Sequence, residues 1–137
     1  MIPPSKPCVT LQSSALEWFD ATVRRELRAF ERARHRFVEK PNEDRLHDVR
    51  TTGRRLRSLL EDGAGLGARP RLLRHVKRAS EATDAARDAA VARRLLEAVV
   101  DGTERENARA LFEVLERRSR TATRAARRYL RRVRLEL

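Results

Sequence analysis

Proline and glycine fall in a few tight groups, and that placement confines this chain to long helices. Pro3, Pro4 and Pro7 lie in the first ten residues and Pro41 stands alone. Gly63, Gly65, Gly67 and Pro70 form one cluster, and Gly102 is isolated. Only Gly53 sits inside an otherwise unbroken segment. The four stretches left between these breakers are rich in Ala, Leu, Arg and Glu. Nineteen Ala stand against eleven Val plus Ile, a balance that favours helix over strand. Ser14 with Glu17, and Thr103 with Glu106, have the spacing of capping boxes. Asn42 follows Pro41 as a further cap, and Pro70 suits a first helical turn. These signals predict helices over about 14–40, 42–62, 70–100 and 103–135.

The apolar positions repeat at helical steps. Leu16, Phe19, Val23, Leu27, Phe30 and Phe37 make one stripe on the first stretch. Ala108, Leu111, Leu115, Ala122, Tyr129 and Val133 make another on the last. The third stretch offers Leu72, Val76, Ala79, Ala86 and Ala90, smaller residues that suit close helix approach. Four amphipathic helices on short connections predict an all-α fold, an antiparallel four-helix bundle with long helices. The bundle should occupy residues 14–137, after a flexible Pro-containing N-terminal arm over 1–13.

A chain of 137 residues holds one ordinary domain. One cysteine, Cys8, makes no internal disulfide, and no Cys/His cluster has zinc-ligand spacing. No apolar run approaches the roughly 20 residues of a membrane helix, and the opening residues lack a signal-peptide core. A cytoplasmic, soluble domain is expected. Its net charge is +12, carried by 29 Arg and only three Lys (Lys6, Lys40, Lys77). Arg matches phosphate and carboxylate bidentately, so the skew points to an oxyanion partner. GC-rich coding would also raise Arg, and composition alone does not separate the two.

Spacing narrows the question to the second stretch. Leu46, Val49, Gly53, Leu56 and Leu60 share one helical face, and His47, Arg50, Arg54 and Arg57 run directly beside it. Those four form a ridge with one cation or imidazole per turn, about 5 Å apart along the axis. Residues 49–60 contain four Arg and no acid, so the ridge is expected to lack neutralisation from its own helix. Like charges so spaced repel, and a polyanion laid along them relieves the repulsion. The alternative is neutralisation from the third helix by Asp84 and Asp88. Mid-helix Gly53 costs roughly 1 kcal/mol against Ala, which a close helix crossing would explain and simple drift would also produce.

The stretch LHDVRTTGRRLRSLLED, residues 46–62, resembles the characteristic helix of the CHAD family, the conserved histidine α-helical domain. The pattern His-x-x-Arg-x-x-x-Arg-Arg-Leu-Arg is met by His47, Arg50, Arg54, Arg55, Leu56 and Arg57. A second family element resembles Lys77 with Arg87-Asp88, although Asp84 stands where that element usually has Gly. The resemblance implies an all-helical domain that binds inorganic polyphosphate through these His, Arg and Lys residues, with association to polyphosphate granules. It implies the site His47, Arg50, Arg54, Arg55, Arg57, Lys77 and Arg87, with Asp88 orienting Arg87 or a neighbour. Arg55 points away from the ridge. Histidine titrates near pH 6.5 in model peptides, so a bound polyanion should favour protonated His47 and binding should strengthen as pH falls through that region. The typical member is about twice as long, built from two four-helix halves, which implies that this half pairs as a homodimer. Trp18, opposite the stripe of its helix, is either an exposed interface anchor or packed on the arm.

Two other readings compete. A charge of +12 attracts nucleic acid, but five of the six aromatics lie on or at the edge of apolar stripes, which leaves Trp18 for base stacking. A histidine phosphotransfer module also carries a His with a basic residue three positions on, as His47 and Arg50 are. There, however, Gly follows the basic residue directly, and here it comes six positions after the His. Glu31/His35 and Glu43/His47 are i,i+4 pairs, unlike the i,i+3 pairs of bundle metal sites. No metal, cofactor or catalysis is expected. The nine Arg of residues 117–134 should raise the local potential more than define a site.

Overall fold

The computed structural model describes the backbone of residues 11–135 and the side chains of 14–135. Pro3, Pro4, Pro7, Lys6 and Cys8 lie outside the described residues. Within them the chain is all-helical, with five helices: α1 (Leu11–Glu39), α2 (Glu43–Asp62), α3 (Ala64–Gly67), α4 (Pro70–Val99) and α5 (Arg109–Arg132). No helix of the described residues is long and apolar enough to cross a membrane.

The breakers act largely where expected. Pro41 ends α1, because the residue before a proline is disfavoured in helical geometry. Asn42 caps α2, its side chain accepting from the Arg45 N–H at 2.8 Å. Arg45 reaches back to donate to the Arg36 carbonyl at 2.7 Å, which ties the end of α1 to the start of α2. Pro70 opens α4.

Both expected capping boxes are corrected. α1 begins at Leu11, so Ser14 lies inside the helix. The last long helix begins at Arg109 instead of residue 103. There Asp101 takes over: its Oδ1 accepts from the Thr103 N–H at 3.0 Å, the Thr103 hydroxyl at 2.7 Å and the Glu104 N–H at 3.0 Å. The Thr103 hydroxyl is thereby a donor to Asp101, and residues 102–108 remain in turns. The glycine cluster also surprises, winding one short helix, α3, which touches α1 and α2.

The long helices pack in the order α1 on α2, α2 on α4 and α4 on α5, and α1 meets α5. Phe19, Val23, Phe30 and Phe37 of α1 interlock with Leu46, Val49, Leu56 and Leu60 of α2. Leu72, Val76, Ala79 and Ala86 of α4 and Ala126, Leu130 and Val133 of α5 complete the core. A Cβ on Gly53 would stand 3.3 Å from the Phe30 ring and 3.5 Å from Ser80 Oγ. This glycine therefore marks the close crossing of α2 between α1 and α4. Two expected core positions fail: Leu16 is 42% exposed and Leu111 is 49% exposed.

Several arginines are architectural. Arg34 Nη1 donates to the Leu130 carbonyl at 2.7 Å, and Arg127 Nε donates to the Val38 carbonyl at 2.7 Å. Both carbonyls lie in the last turn of their helix, where intrahelical donors run out, whereas the Arg36 carbonyl reached by Arg45 also accepts from the Lys40 N–H.

Candidate functional site

The side of α2 next to its core face borders α4, and a groove of about 480 Å³ runs between them. From α2 it is lined by Glu43, Asp44, Leu46, His47, Arg50 and Arg54, and from α4 by Arg87, Ala90, Val91 and Arg94. The antiparallel register follows from the contacts: Arg94 pairs with Glu43 at one end, and Lys77 pairs with Glu61 at the other.

The cations are held in three different ways. Arg50 is the most buried, with its side chain 19% exposed. Its Nη1 donates to Asp84 Oδ1 at 2.8 Å and Thr83 Oγ1 at 2.7 Å, with a longer contact of 3.4 Å to the Ser80 carbonyl. Thr83 is fully buried, and its hydroxyl also donates to the Ser80 carbonyl at 2.7 Å. Arg54 and Arg87 are exposed and have no ion-pair partner among the described residues. They approach the groove from opposite helices. His47 is exposed, with Nε2 3.3 Å from the Thr51 hydroxyl.

One turn beyond Arg54 the ridge continues outside the groove. Arg57 Nε donates to Glu61 Oε1 at 3.0 Å, and Lys77 Nζ lies 3.4 Å from the same oxygen. The Arg57 hydrogen bond, assisted by Lys77, holds the Glu61 carboxyl below the ordinary glutamate value. Arg55 is exposed and does not line the groove.

Of the seven site residues expected from sequence, the groove thus gathers His47, Arg50, Arg54 and Arg87. Arg57 and Lys77 form a neighbouring cluster, and Arg55 stands apart. The expectation of a ridge unneutralised by its own helix is corrected. Glu61 lies one residue beyond the acid-free window and, at i+4 from Arg57, is placed to pair with it. Asp84 neutralises Arg50, and Asp88 does not take part. Asp88 makes no hydrogen bond or ion pair to Arg87 among the described residues, and it lines a separate groove between α4 and α5 with Ala89, Ala92, Arg118 and Ala122. The role expected for Asp88 therefore falls to Asp84. Arg94 was missed, although its spacing of seven from Arg87 puts the two on one face of α4.

The α5 arginines stay off this groove, as none of them lines it. Glu31 is engaged by Arg34 and Glu43 by Arg94, and no group of three or more His, Cys, Asp or Glu among the described residues is placed to hold a metal ion.

The model of the CHAD domain matches residues 15–136, nearly the whole chain. The chain belongs to the CHAD family. No curated protein and no solved structure matches it. The match extends over α1 and α5 of this CHAD domain, beyond the residues of α2 and α4 that carry the resemblance. Asp84, whose carboxylate holds Arg50, lies within the matched residues.

Proposed function

We propose that this CHAD domain binds inorganic polyphosphate along the α2/α4 groove, without turning it over. The observation that carries this reading is the pair Arg54 and Arg87. Two exposed guanidinium groups from different helices border one groove, and neither has an acidic partner among the described residues. Each presents a planar fork of N–H donors that matches phosphate oxygens, and Arg50, Arg94 and His47 extend the line. Arg50 is oriented before any ligand arrives, because Asp84 and Thr83 hold it. The four long helices act in this reading as one antiparallel bundle that keeps α2 and α4 at a fixed spacing. A cytoplasmic protein recruited to polyphosphate granules is the setting that fits.

The homodimer belongs to the same reading. Among the exposed large apolar residues outside the α2/α4 groove, Leu95 and Val99 lie four apart on α4, and Leu111 and Val114 lie on α5. Leu95 is 62% and Val99 72% exposed, against 61% for Trp18. The α4/α5 groove beside them has Asp88 on its α4 edge and Arg117 and Arg118 on its α5 edge. A twofold axis would set the acidic edge of one copy against the basic edge of the other, so a second copy is the fitting occupant. This face replaces Trp18 as the favoured interface.

Titration with long-chain polyphosphate tests the function, with duplex DNA as competitor at equal phosphate concentration. Binding weakened by Arg54→Ala and by Arg87→Ala, and resistant to DNA, is expected. Displacement by DNA would favour the nucleic-acid reading instead.

A further inference from the structure

The basic face of α2 and α4 does not stop where the groove stops. Along α4, Arg94 to Arg87 covers about 10 Å, and Arg94 to Lys77 covers about 26 Å at 1.5 Å per residue. At the far end the two helices again contribute one cation each, Arg57 and Lys77. Both converge on a single carboxylate oxygen, Glu61 Oε1, at 3.0 Å and 3.4 Å. That oxygen occupies the place a phosphoryl oxygen would take if a chain ran on from Arg54 down the ridge, since it accepts from the same donors.

Three carboxylates on this face pair with its cations, Asp84, Glu43 and Glu61, and their settings differ. Asp84 shares its arginine with the buried Thr83, and that arginine is only 19% exposed. Glu43 meets Arg94 at the mouth of the groove itself. Glu61 and its two cations are all open to solvent, with side chains 39%, 47% and 42% exposed. Exposed pairs of this kind are weak and yield readily to a more highly charged competitor. A carboxylate is ionised at neutral pH, and Arg57 and Lys77 hold the Glu61 carboxyl below its ordinary value, so a ligand there meets a charged occupant.

Resting on the polyanion reading above, we propose that Glu61 is a specificity-determining residue for polyanion length. Its carboxylate fills the Arg57–Lys77 subsite, so a short polyanion binds in the groove alone, and a long one displaces Glu61 and spans both clusters. The exchange is of one oxyanion for another on the same donors and involves no covalent step. Glu61 thereby penalises the far subsite for every ligand, and only a chain already anchored at Arg54 and Arg87 gains enough local concentration to enter it.

The test compares tripolyphosphate with long-chain polyphosphate on the wild type, on Glu61→Gln, and on Glu104→Gln. The last makes the same change of charge on the α4–α5 connection, away from the site. Glu61→Gln is expected to raise affinity for the long chain by about two- to fivefold, the size of a removed surface-pair competitor, and to leave tripolyphosphate at the Glu104→Gln level. Adding Arg57→Ala to Glu61→Gln should abolish that gain. An equal gain for both ligands, or a long-chain gain no larger than that of Glu104→Gln, overturns the role of Glu61 and leaves the groove reading intact. Failure of the wild type to bind either ligand overturns both.

Discussion

Arg50 and Arg54 lie four residues apart on one ridge and line one groove, yet their removal should differ sharply in what it costs the fold. Arg50→Ala deletes a guanidinium that is 19% exposed and that joins α2 to Thr83 and Asp84 of α4. Hydrogen bonds to charged groups contribute about 1.5–3 kcal/mol. Asp84 is 55% exposed, which screens the ionic part, and the Thr83 hydroxyl keeps its bond to Ser80. A loss of about 1–2 kcal/mol is therefore expected, a fall of roughly 3–8 °C in thermal midpoint for a domain of this size. Arg54→Ala removes an exposed side chain with no ion pair among the described residues, and Ala is as good a helix former. Its stability should stay within about 0.5 kcal/mol of wild type. Polyphosphate affinity should instead fall roughly five- to tenfold at low salt, with the slope of log affinity against log salt reduced by on the order of 0.7. Calorimetric melting followed by titration at three salt concentrations measures both quantities. Equal destabilisation by the two variants, or wild-type affinity in Arg54→Ala, would refute this division of labour.

Other consequences follow from single contacts. A Cβ at Gly63 would run into the Phe19 ring and stand 2.7 Å from the Leu59 carbonyl oxygen, so Gly63→Ala should cost about 1–3 kcal/mol, read as an earlier urea midpoint. The carboxyls of Asp20, Glu61 and Asp101 are held below their ordinary values by Arg24 and Arg69, by Arg57 and Lys77, and by the Thr103 hydroxyl with the Glu104 and Thr103 N–H groups, respectively. A depressed folded-state value means that each contributes stability above the ordinary carboxyl range near pH 4, lost as pH falls through the lowered value. Glu61→Gln and Asp101→Asn should each flatten the acid limb of a stability–pH curve and leave its shape unchanged near pH 7. Leu95→Asp places a charge in the exposed α4 stripe and should shift sedimentation from dimer to monomer, with polyphosphate still bound by the monomer's own groove.

The sequence read well where one helix dictates its own geometry. The five-residue core face of α2 and the Asn42 cap follow from spacing and cap chemistry, and both hold. A close helix crossing is one of the two explanations that the mid-helix Gly53 admits from sequence, and Phe30 and Ser80 supply it. What was lost depends on competition between neighbours. Thr103 has capping-box spacing, but Asp101 two residues earlier is the stronger acceptor and captures its hydroxyl. Leu16 and Leu111 repeat at core spacing, yet they sit at the outer ends of their helices, where no other helix covers them. The choice of Asp84 over Asp88 as the partner of Arg50 depends on the register of α4 against α2, which no pattern within either helix encodes. The arginine excess has a mixed origin for the same reason. Arg34, Arg45 and Arg127 satisfy backbone carbonyls across helix pairs, a role invisible to charge counting.

The most direct test is a crystal structure of the chain with tripolyphosphate bound. Phosphate oxygens should lie within about 2.7–2.9 Å of the Arg54 and Arg87 guanidinium groups, between α2 and α4, with Glu61 still on Arg57 and Lys77. Tripolyphosphate seated instead on the exposed arginines of α5, with the α2/α4 groove empty, would contradict the assignment.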